Sequence, residues 1–216
     1  MKTEEIIKRL LELQTQYARV FRITVTNERL RNALIAGEKN IDLKEKRLRE
    51  PLLEHVGHLP VIATFLHSKI ENYKKVDLGK VLIMLAIHDI GETIVGDVLT
   101  FKKDIDHEKR ESEAAHKILS KDLVEYYKEF ELSESLDAKF AQAVDILGPF
   151  LYELESPNMT KRRFSENGFD VNTVVEKKRK YFEWDSVLLS IFDFCTKTFQ
   201  SILDDNGSPF LIEPDL

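Results

Sequence analysis

Cysteine is almost missing from this sequence: Cys195 stands alone among 216 residues. No internal disulfide can form, and thiolate zinc or iron–sulfur sites within one chain are excluded. Any metal must therefore be held by nitrogen and oxygen, from six histidines and the carboxylates. Glycine and proline are also scarce, at eight and six, so punctuation is sparse and long helices are expected. Long apolar runs are lacking too. The longest, Val81 to Ile87, is far short of the roughly 20 residues a bilayer needs, and no membrane partner is expected. There is no basic excess, since the net charge is -6. Polymeric nucleic acid is thus not an expected partner, although a few local cations could hold one small phosphate. The opening MKTEEIIKRL puts acids where a signal peptide has an apolar stretch. The expected compartment is the cytoplasm, and the sequons at Asn158 and Asn206 are read as chance matches.

What is present suits a folded, soluble chain: 43% of residues are apolar and 32% charged. At about 150 residues per domain, the length fits one domain over 1–216. Apolar residues at Ile6, Ile7, Leu10, Leu11, Tyr17 and Val20 predict an amphipathic helix over 3–21, and a weaker helical pattern runs through Leu34 to Gly37. A short strand is expected over 23–26. Residues 38–51, with Lys44, Lys46, Arg47 and Arg49, read as a connection whose cations form a solvated run. A helix should begin near His55, with Gly57 and Pro60 in or before its first turn. Asp77 is a good N-cap for the next helix, which runs into His88 and Asp89. A loop is expected over 93–103, further helices over 106–131, 135–153 and 172–204, and an irregular connection between Ser156-Pro157 and Asn167-Gly168. The class is all-α.

Three places carry charge where the pattern wants none. Asp89 lies four residues beyond Leu85 and seven beyond Leu82, on the stripe that should face the core, and His88 is beside it. A buried carboxylate needs a cation, a proton or several donors. His88 and Asp89 offer one neutral nitrogen and one anionic oxygen, which suits a divalent metal but also suits a satisfied core histidine with a capping aspartate. Glu92, at i+4 from His88, overhangs the same spot if the helix continues. Asp145 sits in an apolar run from Phe140 to Leu151 with little room to reach water. Asp185 and Asp193 compete with it from a long apolar helix, where Asp185, near Glu183, could reach solvent. His55 and His58 stand at the entry to another apolar helix, while His67, His107 and His116 read as ordinary. Two histidines and two aspartates from separate helices would make a closed set of nitrogen and oxygen ligands.

His55, the pair His88-Asp89 and the later Asp145 resemble, in order and context, the H…HD…D signature of the HD-domain metal-dependent phosphohydrolases. The segment Leu85-Ala-Ile-His-Asp-Ile-Gly-Glu-Thr-Ile-Val-Gly-Asp97 is similar to the HDxxExxxGD segment of the 5'-deoxynucleotidase branch, and Asp137-Ala-Lys-Phe-Ala-Gln-Ala-Val-Asp145 to its segment bearing the last Asp. The resemblance covers about residues 45–155 and implies an HD-type helical bundle with added N- and C-terminal helices, the C-terminal extension at about 170–205. It implies that His55, His88, Asp89 and Asp145 bind one divalent cation, whether Mn, Co, Mg, Ni, Fe or Zn. Glu92 would orient or deprotonate the attacking water, and Asp97 would act at the leaving oxygen or hold substrate. His58, Arg47 and Arg49 are the expected phosphate contacts. The substrate implied is a nucleoside 5'-monophosphate or a similar small phosphomonoester, and related proteins are commonly homodimers. Stringent-response hydrolases of this kind would show an acidic pair where Glu92-Thr93 stands, and cyclic dinucleotide phosphodiesterases a Lys in place of Glu92. The alternative from another class is a regulatory or nucleotide-binding helical protein whose site does not turn over.

Overall fold

A computed structural model describes residues 17, 20–25, 33, 36–39, 49–98, 103–155 and 157–205. The helices expected over 3–21 and through Leu34 fall almost entirely outside these residues. The all-α class holds, with one short antiparallel pair: β1 (Phe21–Val25) runs against β2 (Arg49–Pro51), Phe21 opposite Pro51 and Val25 opposite Arg49. Thus the end of the expected 38–51 connection is a strand. No helix among the described residues is long and apolar enough to cross a membrane.

The chain divides into two compact units, Met1–His58 with Ile83–Glu131, and Leu59–Leu82 with Leu132–Leu216. The helices are α1 (Leu52–His67), α2 (Leu78–Ile87), α3 (Glu92–Val95), α4 (Ile105–Ile118), α5 (Lys121–Leu132), α6 (Leu136–Glu155), α7 (Pro157–Asn167), α8 (Val171–Lys178) and α9 (Ser186–Leu203). α1 starts at Leu52, three residues earlier than expected, and carries Pro60 in its interior. α6 likewise continues through Pro149. Their apolar faces hold both helices past a residue that removes one backbone donor.

In the first unit, Tyr17, Leu52, Val56, Ile87, Ile90, Ala115 and Tyr127 form a buried cluster. The Tyr17 hydroxyl donates to the Ala86 carbonyl at 3.1 Å, and Leu52 N–H to the Val20 carbonyl at 2.8 Å. α4 is capped by Asp104, whose carboxylate accepts from His107 N–H. The single helix expected over 106–131 is broken at Leu119, which takes an extended backbone and packs on the same cluster.

In the second unit, Asp77 caps α2 as expected, Oδ1 accepting from Gly79 and Lys80 N–H. The core is aromatic: Phe140, Phe182, Phe192 and Phe199 are fully buried, with Phe182 and Phe192 rings 4.7 Å apart. The irregular connection expected after Ser156 is instead α7, opened by Pro157 at a position where its missing N–H costs nothing and ended before Gly168, which has φ +69°. The long helix expected over 172–204 is two helices, α8 and α9, joined by a 3₁₀ turn at Arg179–Tyr181.

Candidate metal centre

α2 ends at Ile87, so His88 and Asp89 stand in the turn that follows instead of on its last turn. Ile90 N–H donates to the Ile87 carbonyl and Glu92 N–H to the Asp89 carbonyl, both at 3.0 Å. The chain thereby coils tightly from the apolar end of α2 into α3, and Gly96, with φ +84°, closes it.

His88 Nδ1 lies 3.0 Å from the Leu85 carbonyl. A carbonyl only accepts, so this nitrogen carries a proton, and Nε2 is the nitrogen turned toward Asp89. That Nε2 is 3.3 Å from Asp89 Oδ2, and His55 Nε2 is 3.6 Å from the same oxygen. His55 and His88 are both buried. Two imidazole nitrogens and one carboxylate oxygen from α1 and the turn after α2 thus converge. A buried set of mixed nitrogen and oxygen donors, with the His88 ring oriented by its Nδ1 hydrogen bond so that Nε2 faces the set, fits a divalent first-row ion. Burial pushes the Asp89 carboxyl up, but His88, Arg22 and His55 outweigh it and hold it well below the usual carboxylate range. Asp145 lies on α6 in the second unit and is half-buried, less enclosed than its apolar neighbours suggest.

Glu92 begins α3 and is only 2% exposed. Lys103 Nζ donates to its Oε1 at 3.0 Å and to Glu111 Oε2 at 2.8 Å. The other oxygen of Glu92, Oε2, is buried and has no hydrogen-bond partner among the described residues. Burial, then the charges of Asp89 and Asp97, raise the Glu92 carboxyl well above its ordinary range, against the pull of Lys103 and Arg22. Asp97 is half-buried just past Gly96.

Of the expected phosphate contacts, His58 has its ring 6.0 Å from that of His55 and its Nδ1 3.7 Å from Glu50 Oε1. Arg49 is half-buried in β2. Arg47 lies outside the described residues. Asp185, expected to reach solvent, is buried instead, 1% exposed, and caps α9 through Oδ1 while Oδ2 accepts from Glu71 N–H at 2.7 Å. A cap feeds a carboxylate with backbone donors, so this acid is satisfied where it stands. Asp193 pairs with Arg179. His107, read as ordinary among Lys and Glu, is buried, its Nε2 4.0 Å from Glu111 Oε2.

Four residues of the site escaped the sequence reading. Arg22 on β1 donates to Asp89 Oδ2 at 2.8 Å, and Glu50 on β2 places an oxygen 4.0 Å from His55 Nδ1. Lys103 and Glu111 flank Glu92. The one local signal was Glu50 itself, an acid directly before a proline at the mouth of an apolar helix. Lys103 and Glu111 sit in charged surroundings that read as solvent-facing, and Arg22 stands as a lone charge between Phe21 and Ile23.

Residues 40–186 match the HD domain family. A search of curated proteins finds no match. Among solved structures, a predicted metal-dependent phosphohydrolase from Magnetospirillum magnetotacticum MS-1 is similar, with a TM-score of 0.70 at 22% identity over 94% of this chain and 96% of that one. A protein from Pyrococcus horikoshii OT3 gives 0.56 at 22% identity over 88% and 98%, and a conserved hypothetical protein from Pyrococcus furiosus gives 0.55 at 18% identity over 88% and 99%. At these identities the likeness is one of fold.

Proposed function

This chain belongs to the HD domain family, and from that premise we propose that it is a metal-dependent phosphohydrolase acting on a nucleoside 5'-monophosphate or a similar small phosphomonoester. The observation that carries the reading is the convergence of His55 Nε2 and His88 Nε2 on Asp89 Oδ2. The fold likeness to a predicted metal-dependent phosphohydrolase supports it. His55, His88 and Asp89 are ligands in this reading, and Asp145 is the fourth by its place in the ordered signature.

When bound, a divalent ion supplies Lewis acidity toward the phosphoryl oxygens and lowers the pKa of a coordinated water. The remaining work falls to the chain. Glu92 Oε2, buried and without a hydrogen-bond partner among the described residues, accepts the proton of the attacking water. The new bond runs from the water oxygen to phosphorus while the bond from phosphorus to the 5' oxygen breaks. Asp97 holds the substrate or assists at that leaving oxygen. His58, Arg49 and Arg47 contact the phosphate, and the products are the nucleoside and inorganic phosphate. In this reading the protein is cytoplasmic and works as a homodimer, which light scattering on the purified chain checks.

The test is hydrolysis of a panel of nucleoside monophosphates after Mn or Co is added, with metal analysis. Asp89→Ala should be metal-free and inactive. Glu92→Gln should keep its ion and lose roughly 10²–10⁴-fold in kcat, as removal of a general base does. In a binding protein without turnover Glu92→Gln would change nothing measurable. A wild type that takes up no ion overturns the reading.

A further inference from the structure

Oxygens of Asp89, Glu92 and Glu111 all lie within 4.8 Å of one another, and all three residues are well enclosed. Three carboxylates that close cannot all remain charged without a cation among them. The chain brings its own. Lys103 Nζ donates to Glu92 Oε1 at 3.0 Å and to Glu111 Oε2 at 2.8 Å, and the lysine side chain is largely buried. Burial works against its charge, but Glu92, Glu111 and Asp89 outweigh it and hold the ammonium protonated beyond the ordinary lysine range.

The anchor of this arrangement is backbone. A Cβ on Gly91 would lie 2.3 Å from the Glu111 carbonyl oxygen, so α4 is seated directly on the turn that carries Asp89 and Glu92. Glu111 is thereby placed by main chain, and Lys103 links it to Glu92. The link is made to one oxygen only. Among the described residues Glu92 Oε2 is buried with no hydrogen-bond partner, which is the state expected of an oxygen reserved for a ligand.

We propose that the Lys103 ammonium is the fixed second cation of this site: seated on Glu111, it holds Glu92 through Oε1, leaves Oε2 to the attacking water, and closes the Asp89–Glu92–Glu111 cluster to a second divalent ion. The role given to Glu92 rests on the phosphohydrolase reading above; the exclusion of an ion does not. Lys103 acts through Glu92 and is a positioning residue. Without its charge, an all-oxygen set of three acids is what a hard divalent cation takes. Arginine would keep the charge and both acceptors, whereas methionine or glutamine would keep neither the charge nor the exclusion.

The experiment is metal counting on the full chain with Mn²⁺ as the only added ion, by calorimetric titration and by elemental analysis after desalting. Wild type and Lys103→Arg should bind one ion per chain. Lys103→Met and Lys103→Gln should bind two, and Lys103→Met combined with Glu111→Gln should return to one. With a nitrophenyl phosphate substrate, Lys103→Met should lose about 10–100-fold in kcat with KM little moved, and Lys103→Arg should recover most of it. Two ions in the wild type, or one ion in whichever neutral variant folds, overturns the proposal. The ion count judges Lys103 whether or not any ester is cleaved. A wild type that holds one ion and hydrolyses nothing would overturn the phosphohydrolase reading alone.

Discussion

Arg22 Nη1 donates to Asp89 Oδ2 at 2.8 Å while its Nε lies 3.7 Å from Glu50 Oε2, so one guanidinium spans two acids from separate elements. Glu50 is 1% exposed and the Asp89 side chain 13%, so both depend on a nearby positive charge. Removing Arg22 leaves those charges in place without their partner. Arg22→Met should lower the unfolding free energy by about 3 kcal/mol in urea titrations. Arg22→Lys should recover only a minor part, because a single ammonium cannot reach both carboxylates as a planar fork does. A change for Arg22→Met within about 0.5 kcal/mol, typical of a surface site, would show that the pair contributes little.

Two glycines of the first unit separate packing from propensity. At Gly91 an added Cβ meets the Glu111 carbonyl at 2.3 Å, and backbone cannot swing aside. Gly91→Ala should cost about 1–3 kcal/mol, the range for forcing an extra methyl group into a packed interior. Gly57 lies inside α1 with nothing within 4 Å of its Cβ position. Gly57→Ala should stabilise by about 0.5–1 kcal/mol through reduced freedom of the unfolded chain and better helix propensity. Parallel denaturant titrations decide both; equal effects of one sign would contradict the packing at Gly91.

The parts of the site readable in advance lie within one short segment. His88, Asp89 and Glu92 betray themselves because helical spacing points charge at an apolar face, and that conflict is local. Asp77 was legible for the same reason, being a capping residue directly before an apolar run. Arg22 and Lys103 were not, since what marks them is the acid each meets, and Arg22 is 67 residues from Asp89. Asp185 and Asp145 show the complementary failure. A single continuous helix over 172–204 gave Asp185 a route to solvent, yet the chain breaks there and buries the carboxylate on the backbone donors of α9. Asp145 looked sealed by its apolar neighbours and is half-buried. Helix interruptions at Leu119 and Phe182, and helix continuation through Pro60 and Pro149, are decided by what packs against the segment, which local periodicity does not report.

Cys195, the only thiol, is buried on α9. Burial, with a smaller push from the charge of Glu153, raises its pKa to about 12. The thiolate is the reactive form, so at neutral pH the folded protein holds almost none of it and gives reagents no access. Iodoacetamide should leave the native chain unlabelled over hours and label it stoichiometrically in denaturant, as mass spectrometry reads directly. Rapid labelling of the native chain would mean that α9 opens readily.

Glu153 supplies a pH test of the second unit. It is buried on α6 and pairs with Arg163. Burial raises its carboxyl above the ordinary 4.5 and Arg163 only partly opposes this. A folded-state pKa above the unfolded value means that the native state binds the proton more tightly. The stability tied to that proton is fully present below pH 4.5 and is lost as pH rises through the higher folded value. At neutral pH the ionised group therefore works against folding. Glu153→Gln removes the titration and leaves any packing change as a constant offset. The difference in melting temperature, variant minus wild type, should move in favour of the variant between pH 4 and pH 7. A difference moving the other way would mean that Arg163 outweighs burial, and Glu153→Gln would then break a net stabilising pair.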